Sequence, residues 1–182
     1  MTRKRQRRGV TPRSALKGLA SGVALGMAGV MPLMADTDVE FSGTLVADPC
    51  QVAVGDEAQE VPFGNIPSKT FFNTVQSAPE AFDITLTECD LSLGNQVFVT
   101  FSGEKDATHS DLFAVTGTAT GIALHISDHT GAQVTPDGEQ VPVPLAEGDT
   151  QLTWQARVQS TAGRNVTEGD FQAVVTFTLR YE

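Results

Sequence analysis

Two cysteines and three histidines are the residues of this chain best suited to metal, redox or nucleophilic chemistry. Cys50 and Cys89 are the only thiols, and no paired histidine lies near either of them to complete a zinc site. A redox pair is more often spaced Cys-x-x-Cys. Whether the two thiols form a structural disulfide therefore depends on the compartment in which the chain folds.

The first 35 residues have the pattern of an export signal. A basic segment extends to Lys17, and an uncharged stretch rich in Gly and Ala follows over 19–33. This stretch is short for a membrane span and typical of a secretory signal, and Ala35 suits the small-residue position before a cleavage site. An uncleaved anchor is the alternative. The expected mature chain is 36–182, which leaves the cytoplasm.

Export makes a disulfide between Cys50 and Cys89 the default interpretation, because they are the only pair in a chain bound for an oxidising compartment. The bond would close a loop of about 40 residues, for which the chain-entropy treatment gives about 4 kcal/mol. We expect it to be structural.

The histidines and acids do not form a catalytic or metal-binding set. His125 and His129 are four apart, but 122–127 alternates like a strand and 128–131 resembles a turn. His109 stands upstream among acids that are scattered over turns, and no Gly-x-Ser-x-Gly motif occurs. We expect no enzyme, no metal and no cofactor.

Two further features have a plain explanation. Trp154 alternates with Leu152 and Ala156, which favours core packing over a sugar-binding platform. Residues 165–167 match a glycosylation acceptor, a triplet that often arises by chance. Neither feature assigns a ligand.

Charge is distributed very unevenly along the chain. Seven of the 12 Lys and Arg residues lie before position 18, and no acid precedes Asp36. Residues 36–182 therefore carry five basic and 22 acidic side chains, a net charge of −17. A body this acidic repels phosphate, which argues against nucleic-acid binding.

The mature chain has the alternation of an all-β protein. Hydrophobic residues recur with period 2 in several short segments, separated by turns rich in Gly, Asn and Asp. No 12-residue window predicts an amphipathic helix. Short strands at this spacing predict an immunoglobulin-like sandwich. The clearest segments are 82–87, 97–102, 122–126, 152–158 and 171–181.

The last alternating segment ends one residue before the end of the sequence. Ala173, Val175, Phe177, Leu179 and Tyr181 share one face of it. A long apolar strand with nothing after it to pair with is a hazard that proteins normally cover.

The first mature segment also alternates. Val39, Phe41, Gly43 and Leu45 point one way in an extended chain, and Pro49 separates them from the strands of the body. Such a strand could complete the sheet of its own chain or that of a neighbour.

Together these features resemble a known family. The order is a leader, Val-x-Phe-x-Gly-x-Leu-Val-x-x-Pro-Cys, a Phe-x-Ile-x-Leu-x-x-Cys strand, and a terminal alternating strand with a penultimate Tyr. This order is similar to that of pilin subunits of chaperone–usher fimbriae of Gram-negative bacteria. The resemblance covers 36–182, and 39–50 is especially similar to minor subunits of P-type pili. Only three residues of the expected mature chain precede Val39, so the extension is short compared with those of type 1 major pilins.

The resemblance implies an incomplete sandwich that lacks its last strand. A periplasmic chaperone would lend a strand to the resulting groove, and the next subunit's 39–47 segment would replace it after delivery to an outer-membrane usher. Val39, Phe41, Gly43 and Leu45 would then be donor residues. The groove, and the surface that the chaperone recognises, would be formed by Val175, Phe177, Leu179 and Tyr181.

The implied organisation is a signal peptide (1–35), a donor extension (36–49) and a pilin body (50–182). Because the chain has both donor and acceptor, it would lie within the fibre on the cell surface. Both a shaft pilin and a minor or adaptor subunit fit this position, and the similarity of 39–50 to minor subunits favours the adaptor. The alternative is a self-complemented, secreted ligand-binding module in which 39–47 folds back on its own groove. A two-domain adhesin would need a second domain, for which the mature chain has no room, and a secreted hydrolase would need a cleft that the sequence does not indicate.

Overall fold

The computed structural model describes residues 40–138 and 142–182. The predicted signal peptide, the start of the donor extension and Val39 lie outside these ranges. The body of the fold is Thr44–Glu182, and the division of the chain at positions 36 and 50 stays a prediction.

The body is built almost entirely of strands, because alternating apolar residues give each strand one face that packs inward. One helix of a single turn, α1 (Thr70–Asn73), interrupts them. The strands in chain order are β1 (Gln51–Val52), β2 (Glu80–Cys89), β3 (Gln96–Gly103), β4 (Thr116–Gly117), β5 (Ile122–Asp128), β6 (Gln133–Val134), β7 (Val143–Pro144), β8 (Gly148–Ser160), β9 (Phe171–Gln172) and β10 (Val175–Tyr181). No helix in the described ranges is long and apolar enough to span a membrane.

The strands form two main antiparallel sheets. The larger has the order β1-β2-β8-β5-β6 and the smaller the order β10-β3-β7, while β4 and β9 form a separate short pair. The core lies between the two main sheets, where the rings of Phe101 on β3 and Trp154 on β8 meet edge to face with centroids 5.1 Å apart. The predicted all-β sandwich is confirmed.

Strand β8 defines the two ends of the body. Gly148, at its start, pairs with Cys89, whereas Ser160, at its finish, pairs with Ile122. Thirteen residues of strand separate these ends by about 40 Å. We call the end at Gly148 and Cys89 the disulfide end. The end at Ser160 and Ile122 also carries helix α1 and the 161–166 turn, and we call it the α1 end.

The disulfide fixes the first residue of the body, directly after the extension, to the core. Cys50 is bonded to Cys89 across 39 positions, and both side chains are buried. This fixes the residue before β1 to the last residue of β2, as the sequence predicted.

The last alternating segment is not one continuous strand. Residues 171–172 pair with β4, whereas 175–181 pair with β3, so 171–181 is broken at Ala173 and Val174. The reason is that β3 ends at Gly103, which pairs with Val175, so earlier residues have no β3 backbone left to bond.

Candidate functional site

The inward face of β10 is incompletely covered. Its partner β3 buries Val97, Val99 and Phe101 to 2% exposure or less. The inward residues of β10 all stay only partly buried, although they pack on the same core; they are Val175, Phe177, Leu179 and Tyr181. Because two paired strands differ this much, the missing cover lies on the side of β10 away from β3.

The backbone of β10 shows the same one-sidedness. Every residue of Val175–Tyr181 has a register partner on β3. In the described ranges no strand pairs with its other edge, so alternate N–H and C=O groups there are available to a partner. This is the edge expected of a sandwich that lacks its last strand.

The segment that leads into β1 and continues to Phe63 flanks this open edge. At the disulfide end, burial of the Tyr181 ring raises the pKa of its phenol. The negative charge of Asp48, which lies nearby, raises this pKa further. Toward the α1 end, the ring centroids of Phe63 and Phe171 are 5.9 Å apart. The groove therefore has two walls, β10 and the 48–63 segment. The two segments run in opposite directions between the ends of the body.

At the α1 end the fold contains a half-open cavity of about 270 Å³, lined by apolar side chains together with Ser68 and Glu168. Ile66, Phe71 and Phe171 contribute to its lining, and Ile122 and Val158 belong to the same small cluster. This volume suits one or two inserted side chains rather than a small-molecule substrate. Sequence reasoning missed the cavity, since 61–75 has no strand alternation and its apolar residues converge only after α1 forms.

The predicted donor residues within the described ranges, Phe41, Gly43 and Leu45, are not in regular secondary structure. No residue of 40–48 is in a strand, and Phe41 is 92% and Leu45 100% exposed. Val46, on the opposite side of the alternation, is 74% exposed. Gly43 has no atom within 4 Å of the place where a Cβ would be. Apolar side chains this exposed next to a covalently fixed Cys50 are available for a partner.

The residues considered for chemistry do not converge on a reactive site. In the described ranges, no group of three or more His, Cys, Asp and Glu side chains could hold a metal ion. His125 lies on β5 opposite Arg157 of β8, while His129 follows in the exposed turn. Trp154 is 4% exposed and stacks on Phe82 at 5.9 Å, which confirms core packing.

Comparison with known proteins agrees with this geometry. The sequence model of the family described as fimbrial protein matches residues 39–182. The chain is 34% identical over 145 residues to the Fimbria A protein of Serratia marcescens, covering 79% of this chain and 83% of that one. It is 35% identical over 151 residues to the probable major fimbrial subunit LpfA of Escherichia coli O157:H7, covering 81% and 84%.

The fold is similar to that of solved fimbrial subunits. The crystal structure of the P pilus rod subunit PapA superposes with a TM-score of 0.67 at 29% identity. The match covers 74% of this chain and all of PapA. The body is thus an immunoglobulin-like sandwich without its last strand.

Proposed function

Because the chain belongs to the fimbrial protein family, we propose that it polymerises by donor-strand exchange as a structural subunit of an adhesive chaperone–usher fimbria. The observation that carries the proposal is the edge of β10, where four large apolar residues are half-buried and the backbone has no partner strand in the described ranges. An added strand supplies backbone hydrogen bonds along such an edge and side chains for its pockets.

The donor would be residues 39–47 of a neighbouring subunit. Its part 39–45, which would lie opposite β10, has seven residues, the same number as β10. Val39, Phe41 and Leu45 would fill the space over the half-buried residues, and Gly43 would let the two backbones approach closely. The extension of each copy would thus complete the core of another.

The donor strand must run antiparallel to β10 if a fibre is to grow. β10 runs toward the disulfide end, where its own chain's extension also joins the body at Pro49. A parallel donor would bring two disulfide ends together, where each next copy would collide with the last. An antiparallel donor leaves the groove at the α1 end, so copies line up head to tail, and antiparallel pairing is also slightly more stable.

The other partners follow from the exposed groove. A chain with this much uncovered apolar surface cannot bury a full core alone, so a periplasmic chaperone would occupy the groove until an outer-membrane usher exchanges it for the next subunit. Polymerisation of this kind needs no catalytic residue and no cofactor. The chain would cross the periplasm and end in a fimbria on the cell surface.

Possession of both a donor and an acceptor would support a position within the fibre. The similarity of 39–50 to minor subunits of P-type pili favours an adaptor, although its relative LpfA is described as a probable major subunit. Quantitative immunolabelling of isolated fibres tests this: one or a few copies per fibre support an adaptor, and labelling along the shaft overturns it.

Peptide complementation tests strand donation. The chain 36–182 carrying Phe41→Asp should be a poor donor with an intact groove, so a peptide of residues 36–48 should raise its melting temperature strongly. Adding Phe177→Asp should abolish the shift, because Phe177 faces the groove, whereas adding Thr178→Asp on the outward face should preserve it. A stable monomer that ignores the peptide would overturn donor-strand exchange and favour a complete ligand-binding sandwich.

A further inference from the structure

Apolar side chains are exposed at the α1 end beyond the groove. Phe71 of α1 is buried, but its neighbour Phe72 is 51% exposed and Val75 is 63% exposed. Val75 is held at this end because its carbonyl accepts a hydrogen bond from the amide of Ser160, the last residue of β8. Both side chains are therefore solvent-exposed at the α1 end.

The same end carries two of the five basic residues of the body. Lys69 and Arg164 are exposed, and neither forms an ion pair within the described ranges. The acid beside α1, Glu168, instead accepts a hydrogen bond from Ser68. By contrast Lys105 is paired with Asp137.

The disulfide end has the complementary character. Leu93 is 54% exposed in the turn after β2 and stands beside Gly94. Around it are exposed acids, Asp48 and Asp90 among them. The hydroxyl of Ser92 donates a hydrogen bond to the Asp90 carboxylate, and the amide of Ser92 donates another. Both lower the pKa of Asp90, the hydroxyl more than the amide, so the carboxylate is charged at neutral pH.

Strand donation brings these two ends together. If 39–45 of one copy lies antiparallel on β10 of the next, only residues 46–48 remain before Pro49, which is buried at the disulfide end. Three residues span at most about 10 Å. So short a connection holds the disulfide end of the donor copy against the α1 end of the acceptor copy.

We propose that, where two copies of this chain follow one another in a fibre, Phe72, Val75 and Lys69 of one copy form a second contact, against Leu93 and Asp90 of the copy that donates the strand. This contact rests on the proposed function and is continuous with the donated strand. It buries apolar surface at both ends and places a cation opposite an anion in a body that is otherwise strongly acidic. It limits rotation about 46–48, so it sets the angle between neighbours.

Cysteine cross-linking tests the contact in assembled fibres of the chain. A variant with Phe72→Cys and Leu93→Cys should give a ladder of disulfide-linked multimers after mild oxidation, because each joint brings the two thiols together. The matched control is Val54→Cys with Leu93→Cys, since Val54 is fully exposed but lies beside β2 on the flank of the body. Fibres that form normally without a ladder from the first variant would overturn the contact.

Charge exchange provides an independent measurement. Lys69→Glu or Asp90→Lys should each accelerate dissociation of subunits from fibres about two- to fivefold, as expected for losing an exposed pair and gaining a repulsion. The two changes in one chain should restore the wild-type rate, and absence of restoration would count against the pairing. The 36–48 peptide should raise the melting temperature of all these variants equally. If the peptide does not stabilise the wild-type body, strand donation itself fails.

Discussion

Gln96 and Glu182 form a closed hydrogen-bonded pair. The amide of Glu182 donates to the carbonyl of Gln96 at 3.0 Å, and the amide of Gln96 donates to the carbonyl of Glu182 at 3.0 Å. The β10–β3 ladder therefore continues through residue 182. A strand fixed to its final residue on one side presents its other edge as a straight, ordered template.

We predict that Gly94→Val destabilises the body itself. A Cβ at Gly94 would lie 2.9 Å from Pro49 Cγ and 3.3 Å from the carbonyl oxygen of Glu182. Relief of this overlap requires backbone shifts, which typically cost 1–3 kcal/mol, so about 2 kcal/mol is expected. Urea unfolding of the chaperone-free chain measures it.

Gly43→Val is the matched variant with the opposite pattern. No atom lies within 4 Å of its Cβ position, so the free energy of unfolding should be unchanged while polymerisation is lost. Equal effects of the two glycine variants on both measurements would contradict the separation of body and donor.

Removal of the disulfide should destabilise the chain by about 4 kcal/mol, because the unfolded state regains the freedom of a loop of about 40 residues. Cys50→Ala with Cys89→Ala is the variant, and urea unfolding with and without reductant is the measurement. Reductant should lower the stability of the wild type and leave the double variant unaffected. A wild type indifferent to reductant would show that the bond contributes nothing.

The stability of the body should fall as the pH decreases from about 7 to 5, partly through His125. Burial, followed by the charge of Arg157, lowers the pKa of this imidazole from its ordinary 6.5, while Asp111 opposes the shift. The folded state thus disfavours the imidazolium, so this contribution is present above pH 6.5 and is lost as pH falls toward the folded pKa. Melting temperatures of His125→Gln should depend less on pH across this window, and parallel profiles would refute the assignment.

Glu88→Asn should raise the stability slightly. Glu88 has φ of +54°, at the irregularity between Leu86 and Cys89. A left-handed residue of this type costs roughly 1–2 kcal/mol, which Asn tolerates better. The lost hydrogen bond from Gln51 is exposed and offsets only part of the gain. Calorimetry should show a higher melting temperature, with Glu104→Asn, which lacks a positive φ, as the neutral control.

The long strands could be predicted because alternation alone specifies them. The segments at 82–87 and 152–158 became the centres of β2 and β8, and Trp154 packs where its alternation indicated. The break at Ala173 and Val174 could not be predicted, since it depends on where β3 ends. The fully buried Leu112 and Phe113 also escaped prediction, because they lie in an irregular segment whose burial depends on Leu124 of β5.

Part of the candidate site could be predicted from the sequence for the same reason. The inward residues of β10 follow from period 2, but their incomplete burial is a property of the whole sandwich. The cavity beside Phe171 and the exposed residues of α1 required three separate loops to be placed.

In the proposed polymerisation, donor and acceptor lie on one chain, which gives the length of fibres assembled from this chain alone a simple statistical control. A Phe177→Asp subunit keeps its own donor residues and can attach to a growing fibre, but its damaged groove accepts no successor. Such a subunit is a chain terminator in the polymer chemist's sense. Mixed with wild type, it should give an exponential length distribution whose mean, in subunits, approaches the inverse of its mole fraction.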